Sequence, residues 1–298
     1  MNKQSKRSKR KIKYKNDLTA FLFIFPAFFL ICFFVIYPFI SSIFLSFYDV
    51  KVYEENIFVG FKYYEIVFKD KNFWRSLGVA FEYAGILIPV QFGLAFLIAL
   101  FIKKDRLGSK AVKSTIYVPN MISGIVAGTI FSLILAYDSG LLNKFIGLFG
   151  IDPIPFTNDM PMLSILIPGI WLGLGYITLV ILAGLNEVPK DYYEAAELDG
   201  ANSFQMFFHI TIPCMKNTLI YLLITSLAAN LQQYELSMMI TGDLYNGATT
   251  TPNYYIYNLL TYQNRRSQAI VASLLMFIIL GTLSAIVFSM MKSEKSSD

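Results

Sequence analysis

Four polar residues interrupt an otherwise apolar run near residue 230: Ser226, Asn230, Gln233 and Ser237. Their spacing of i, i+4, i+7 and i+11 puts them on one face of a helix. Amides and hydroxyls in such a stripe do hydrogen-bonding chemistry. In a lipid-spanning helix they either glue helices together, at roughly 0.6 kcal/mol per contact, or form a wall for a hydroxyl-rich solute. The stripe by itself supports both readings equally. Covalent chemistry has little to work with. The chain has a single histidine, His209, and two cysteines, Cys32 and Cys214, each in or beside an apolar run, which argues against a disulfide framework.

The elements that carry this stripe are dictated by composition. Of 298 residues, 55% are hydrophobic and 15% charged, with a mean hydropathy of +0.53. An ordinary soluble domain has about a quarter charged residues. Apolar runs of about 20 residues, the length a bilayer core needs, recur along the chain. They predict an all-α, polytopic membrane protein with six spans near 18–48, 77–102, 114–137, 163–185, 216–241 and 267–291. Pro26, Pro38, Pro89, Pro119 and Pro168 fall inside them and predict kinks.

The net charge of +5 is concentrated at the start, where eight of the 25 Lys and Arg lie in "MNKQSKRSKRKIKYK". This is an orientation signal rather than a nucleic-acid patch. With residues 1–17 inside, 17 basic residues fall in inner segments and 8 in outer ones. The bias places both termini (1–17 and 292–298) and the loop 186–215 in the cytoplasm, and 138–162 and 242–266 outside. The first apolar run is too long for a signal peptide and is read as a retained span. The domain organisation is then a basic N-terminus, a six-span membrane domain over 18–291, and a short C-terminal tail.

The loop 186–215 contains "DYYEAAELDGANSFQMFFHITIP". Asp191 and Glu194 stand in capping-box spacing after Pro189, Ala195, Ala196, Glu197 and Leu198 favour helix, and Gly200 suits a left-handed C-cap. A helix over about 191–200 is too short to stand alone in water, so something packs on it.

Glu194-Ala195-Ala196, Gly200, and Ile210-x-Ile212-Pro213 together resemble the EAA motif of binding-protein-dependent ABC importer permeases, with Ile212 where Leu is usual. "FLFIFPAFFLICFFVIYPFISSIFLSFYDV", "FVGFKYYEIVFKDKNFWRSL" and "GATTTPNYYIYN" look like the MalF-like carbohydrate branch. "TGDLYNG" departs from the Gly-Gly-Pro turn common there, and the large outer insertion of the maltose permease is missing. The resemblance implies a type I importer fold in a bacterial cytoplasmic membrane. Glu194, Ala195, Ala196, Gly200, Ile210 and Pro213 would belong to a coupling helix and its flank that dock on an ATPase. It also implies sugar contacts from Gly173 and Tyr176 before that loop, and from Ser226, Asn230, Gln233 and Glu235 after it.

The implied partners are a second, homologous permease, two ATP-binding subunits, an extracytoplasmic solute-binding protein, a sugar or oligosaccharide, and membrane lipid, with no nucleic acid. No Gly-x-x-x-x-Gly-Lys-Ser/Thr loop occurs; "RLGSKAVKS" has the wrong spacing. ATP and magnesium therefore belong on the partner ATPase, and this chain is expected to carry no cofactor, metal or catalytic residue. A secondary transporter would commit paired charges inside its spans, where only Glu82 and Glu235 occur, near the outer ends. Glu235 also disfavours an anionic solute such as glycerol phosphate.

Overall fold

A computed structural model describes residues 19–51, 53–103, 108–242 and 247–293. The basic N-terminus 1–17, residues 294–298 of the C-terminal tail and most of "TGDLYNG" lie outside the described residues. Two compact units divide the chain, one comprising Met1–Val67 with Arg265–Leu274, the other Phe68–Asn264 with Leu275–Asp298.

In the first unit, α1 (Thr19–Leu45) is a span of 27 residues. A two-stranded antiparallel ribbon follows, β1 (Tyr48–Asp49) with β2 (Ile57–Phe58). Helix α2 (Lys62–Lys69) folds back on it. Tyr63 donates to Asp49 Oδ1 at 2.5 Å and Ser46 bonds Tyr64 at 2.8 Å. Burial first, then the bond to Asp49, pushes the Tyr63 hydroxyl above the usual tyrosine pKa. Ser267, at the start of α12 (Arg266–Ser293), accepts from Val50 N at 2.8 Å.

The second unit is built on α3 (Lys71–Lys103), which at 33 residues is about 50 Å long. Its buried face carries Ala80, Ala84, Leu87, Gln91, Ala95 and Ala99, while Phe81, Ile86, Leu94 and Leu97 are exposed. Small residues let α7 (Pro161–Glu187) approach closely, as packing between membrane helices requires. Ala95, Ala99 and Ile102 share a core with Ile177, Ile181, Leu182 and Leu185. The apolar residues on the opposite face are placed to meet lipid.

Among the described residues, four helices are long and apolar enough to cross a membrane, α1, α3, α7 and α12, and two bent pairs bring the total to six if each pair is one span. Two predicted spans are corrected. The third is not continuous: Ala111–Met121 meets α5 (Gly124–Ile134) at 99°. Pro119, within a 3-10 turn over Val118–Met121, lacks the N–H that would carry α4 (Ser109–Thr115) onward. Ser123 then starts α5 afresh, its side chain accepting from Val126 N at 3.3 Å. The fifth starts where predicted, at Lys216, where α10 (Lys216–Leu231) meets α9 (Ser203–Cys214) at 71°, but α10 stops ten residues short of the predicted end at 241.

Pro26, Pro89 and Pro168 sit inside continuous helices. Pro38 and Pro213 each follow a π-helical turn, Cys32–Ile36 and Phe207–Thr211. There the residue before proline bonds five residues back, Tyr37 N to Cys32 O and Ile212 N to Phe207 O. This widened turn accommodates a residue that cannot donate. The segments 138–162 and 242–266 assigned to the outside hold helices as well, α6 (Leu141–Gly147) and α11 (Pro252–Thr261). Both Cys32 and Cys214 are free thiols.

Candidate functional site

The break at the end of α10 creates a polar pocket. Residues 233–234 are unwound, helix resumes at Glu235, and a π-turn over Ser237–Thr241 ends at Gly242 with φ +54°. A cavity of about 280 Å³ lies at the break, walled by Tyr83 from α3, Gly169 from α7, Gly124 from α5, and Gln232, Gln233, Tyr234 and Glu235. Two glycines make room for its polar groups. A Cβ on Gly124 would overlap the Glu235 carboxylate, and one on Gly169 would overlap the Tyr83 hydroxyl. Glu235 thus rests against the first residue of α5, where the helix dipole favours negative charge.

The four-residue stripe does not survive as one helical face. Ser226 and Asn230 lie on α10, but Gln233 and Ser237 follow its end. In the orientation that satisfies its surroundings, the Gln233 amide donates to Ser237 Oγ at 3.2 Å and accepts from Leu236 N at 2.9 Å. Gln233 therefore caps the resumed helix, and Ser237 is fully buried beneath it. Of the six residues predicted to meet solute, Gln233 and Glu235 line the pocket. Gly173, Tyr176, Ser226 and Asn230 do not.

Gly173 faces Gln91, whose amide would overlap a Cβ placed there. Gln91 is 2% exposed and donates to Gly169 O at 2.9 Å. The space left by Gly173 thus holds a glutamine from α3. Two residues further on, Gly175 lies so close to Ile116 that a Cβ would overlap the carbonyl oxygen. Tyr176 pairs its hydroxyl with that of Tyr221 on α10 at 3.1 Å. Tyr83 and Gln232 were missed by sequence reasoning. Tyr83 carried one signal, a phenol inside an apolar span, and Gln232 was passed over because the helical stripe was extended through the break.

The loop helix α8 runs over Lys190–Leu198 and buries none of its residues. The predicted capping box at Asp191 and Glu194 does not form, because the helix begins directly after Pro189 with no side-chain cap. Proline fits a helix start without needing a donor. The capping box is instead Asn202 with Gln205, opening α9. Gly200 takes φ +79°. Its N–H bonds Glu197 O at 3.1 Å and Ala201 N bonds Ala196 O at 2.9 Å, a Schellman stop.

Tyr193 ties α8 to the body through Thr211 Oγ1 at 2.8 Å, with Lys103 Nζ 5.6 Å above its ring. Ile210 packs against the Ile177–Leu185 core, whereas Glu194, Ala195 and Pro213 are exposed and Ala196 is half-buried. Leu198 is 90% exposed. Among the described residues, no group of three or more His, Cys, Asp or Glu is placed to hold a metal.

Residues 91–293 match the family of binding-protein-dependent transport system inner membrane components. The chain belongs to that family. This permease subunit is 30% identical over 253 residues to the trehalose/maltose transport system permease protein MalF of Thermococcus litoralis, covering 83% of the chain and 85% of that protein. It is 29% identical over 277 residues to the arabinooligosaccharides transport system permease protein AraP of Bacillus subtilis, covering 91% and 88%. The permease fold is also that of a crystallised bacterial ABC transporter involved in alginate import, with a TM-score of 0.83, 22% identity, and coverage of 96% and 99%. These matches establish an all-α, polytopic type I ABC importer permease that resides in a membrane.

Proposed function

We propose that this permease forms half of the translocation path for a sugar or oligosaccharide, with the pocket at the broken fifth span as its solute wall. The observation that carries the reading is that cavity of about 280 Å³, lined by two phenols, two amides and a carboxylate in an otherwise apolar helical body. Hydroxyl-rich solutes are recognised by such groups, and unwound backbone within a membrane is tolerated where it lines a cavity. The printed activities of the relatives from Thermococcus litoralis and Bacillus subtilis support a carbohydrate.

In this reading a second, homologous permease completes the path, two ATP-binding subunits bind on the cytoplasmic side, and α8 docks on one of them. An extracytoplasmic solute-binding protein delivers the sugar. The alginate transporter crystallised with its periplasmic protein carrying an alginate pentasaccharide supports that last partner. Both termini and the loop 186–215 face the cytoplasm, in keeping with the basic bias of 17 to 8. ATP and magnesium sit on the ATPase subunits. ATP binding closes their dimer, and α8 transmits the motion that turns the pocket from inward to outward access.

The test is reconstitution in proteoliposomes with the partner permease, ATPase and binding protein. Uptake of maltose, trehalose and arabinooligosaccharides would be measured with and without ATP. ATP-dependent uptake of at least one, abolished when the binding protein is left out, is the expected outcome. Uptake driven by an ion gradient without ATP would refute the reading.

A further inference from the structure

The broken fifth span leaves backbone carbonyls without helical partners, and the structure supplies them from elsewhere in the chain. Gln232 O accepts from Asn253 Nδ2 at 2.8 Å, and Gln233 O accepts from Thr251 Oγ1. Both donors come from the segment that opens α11. Thr251 is the N-cap residue of α11, preceding Pro252, yet its side chain makes no cap bond to its own helix. A threonine in that position ordinarily caps its helix, and here the hydroxyl is committed to the neighbouring break instead. Thr251 is fully buried, as is Thr249, whose hydroxyl lies 2.6 Å from that of Thr241 at the other end of the resumed helix. Tyr257 of α11 stacks on Tyr234 at 6.1 Å between ring centroids.

The same segment is anchored at its other side to the start of α3. Tyr255 donates to Asp70 Oδ2 at 2.7 Å and packs edge-on against Phe73. Gly247, with φ +63°, passes beneath the Arg75 guanidinium, which a Cβ would meet at 3.2 Å. The chain from Gly247 to Tyr257 is therefore a strap. One side is fixed on the first turns of α3, and the other holds the carbonyls of two residues whose side chains wall the pocket.

We propose that Thr251 and Asn253 are positioning residues that set the shape of the solute pocket and pass displacement of the segment 247–264 to it. This rests on reading the broken fifth span as the solute pocket. Neither residue touches the cavity. Each acts through Gln232 and Gln233, so a push on the strap from outside the membrane shifts the backbone that presents those amides. In this way docking of a solute-binding protein on the exposed residues 260–264 that follow the strap would reach the pocket without any change in α8.

The experiment uses the assembled transporter with Thr251→Val, Thr251→Ser and Asn253→Leu, in two readouts. Backbone amide hydrogen exchange over residues 234–238 reports the strap without requiring transport. Exchange there should speed up roughly tenfold in Thr251→Val and Asn253→Leu and stay as wild type in Thr251→Ser, which keeps the donor. Binding-protein-stimulated ATPase activity, measured with the transported sugar, should fall by a similar factor in the first two variants and return in Thr251→Ser, with unstimulated ATPase unchanged.

Unchanged exchange in both donor-less variants would overturn the strap. Faster exchange with normal stimulation would overturn its coupling to the pocket. If Thr251→Val fails to assemble, the half-exposed Asn253→Leu decides on the same criteria. A wild-type complex stimulated by no carbohydrate would instead overturn the proposed function, and the exchange result would still stand or fall by itself.

Discussion

Gly124→Ala should move the Glu235 carboxylate with little damage to the fold. A methyl at Gly124 would overlap Glu235 Oε2 and stand 2.9 Å from its Cδ and 3.1 Å from its Cβ. The obstructing atoms are mainly the far end of a flexible side chain, so Glu235 can yield by leaving its rotamer, at about 0.5–1.5 kcal/mol. It also gives up its place at the start of α5, worth about 0.3–1 kcal/mol. The sum is roughly 1–2 kcal/mol. Gly175→Ala makes an informative contrast. Its methyl would overlap Ile116 O and stand 2.8 Å from the carbonyl carbon. No rotamer relieves a clash with backbone, so the cost should be about 1–3 kcal/mol or more.

Thermal denaturation of the purified complex in detergent ranks the two variants, with Gly175→Ala the less stable. The decisive measurement is a double-mutant cycle with Glu235→Ala, which removes the carboxylate and leaves only the contact near 3.1 Å. Gly124→Ala should cost less in that background, with a coupling of about 1 kcal/mol. Uptake should fall in Gly124→Ala, because the displaced carboxylate enters the pocket. Additivity within about 0.3–0.5 kcal/mol, or a Gly124→Ala variant less stable than Gly175→Ala, would refute the placement of Glu235 against α5.

Gly200→Val should cost about 1 kcal/mol or more, because φ +79° strains a β-branched residue, and sugar-stimulated ATPase activity should drop while the complex still assembles. Normal stimulation would remove α8 from coupling. Asn143→Ala should be among the more destabilising changes outside the spans, at roughly 2–4 kcal/mol by denaturation. Its amide serves Ala136 O, Tyr137 O, Ile154 O and Ile154 N within 3.2 Å, and alanine leaves all four without that partner. Asn202→Ala removes the capping box that opens α9 and should cost about 1 kcal/mol, read in the same denaturation series. For topology, a cysteine at Ser203 in a background without Cys32 and Cys214 should resist membrane-impermeant reagents added outside intact cells, and rapid labelling there would reverse the assigned orientation.

How much was legible follows from which signals are local. Span number and order came through because long apolar runs need no knowledge of neighbours. Gly200 came through for the same reason, since its left-handed turn is set within one Schellman stop. Pro119 likewise marked the bend in the third span, whereas the break at the end of α10 did not come through, because apolar periodicity continues across it. Nothing in "NLQQYELSMM" announces that the helix ends at Leu231. What stabilises the end is distant, the Asn253 and Thr251 side chains about twenty residues on, which take up the freed carbonyls. A helical stripe drawn from spacing alone therefore ran through a break that only tertiary hydrogen bonds make affordable. The same logic explains Gly173, whose empty side is filled by Gln91 from 82 positions earlier in the chain. At the end of α10 polar side chains first satisfy the backbone that the break exposes, and the pocket is the space that satisfaction leaves. On the proposed reading of the pocket, solute recognition depends less on which amides are present than on the segments that hold them, and the strap and α5 become as consequential for transport as the residues facing the cavity.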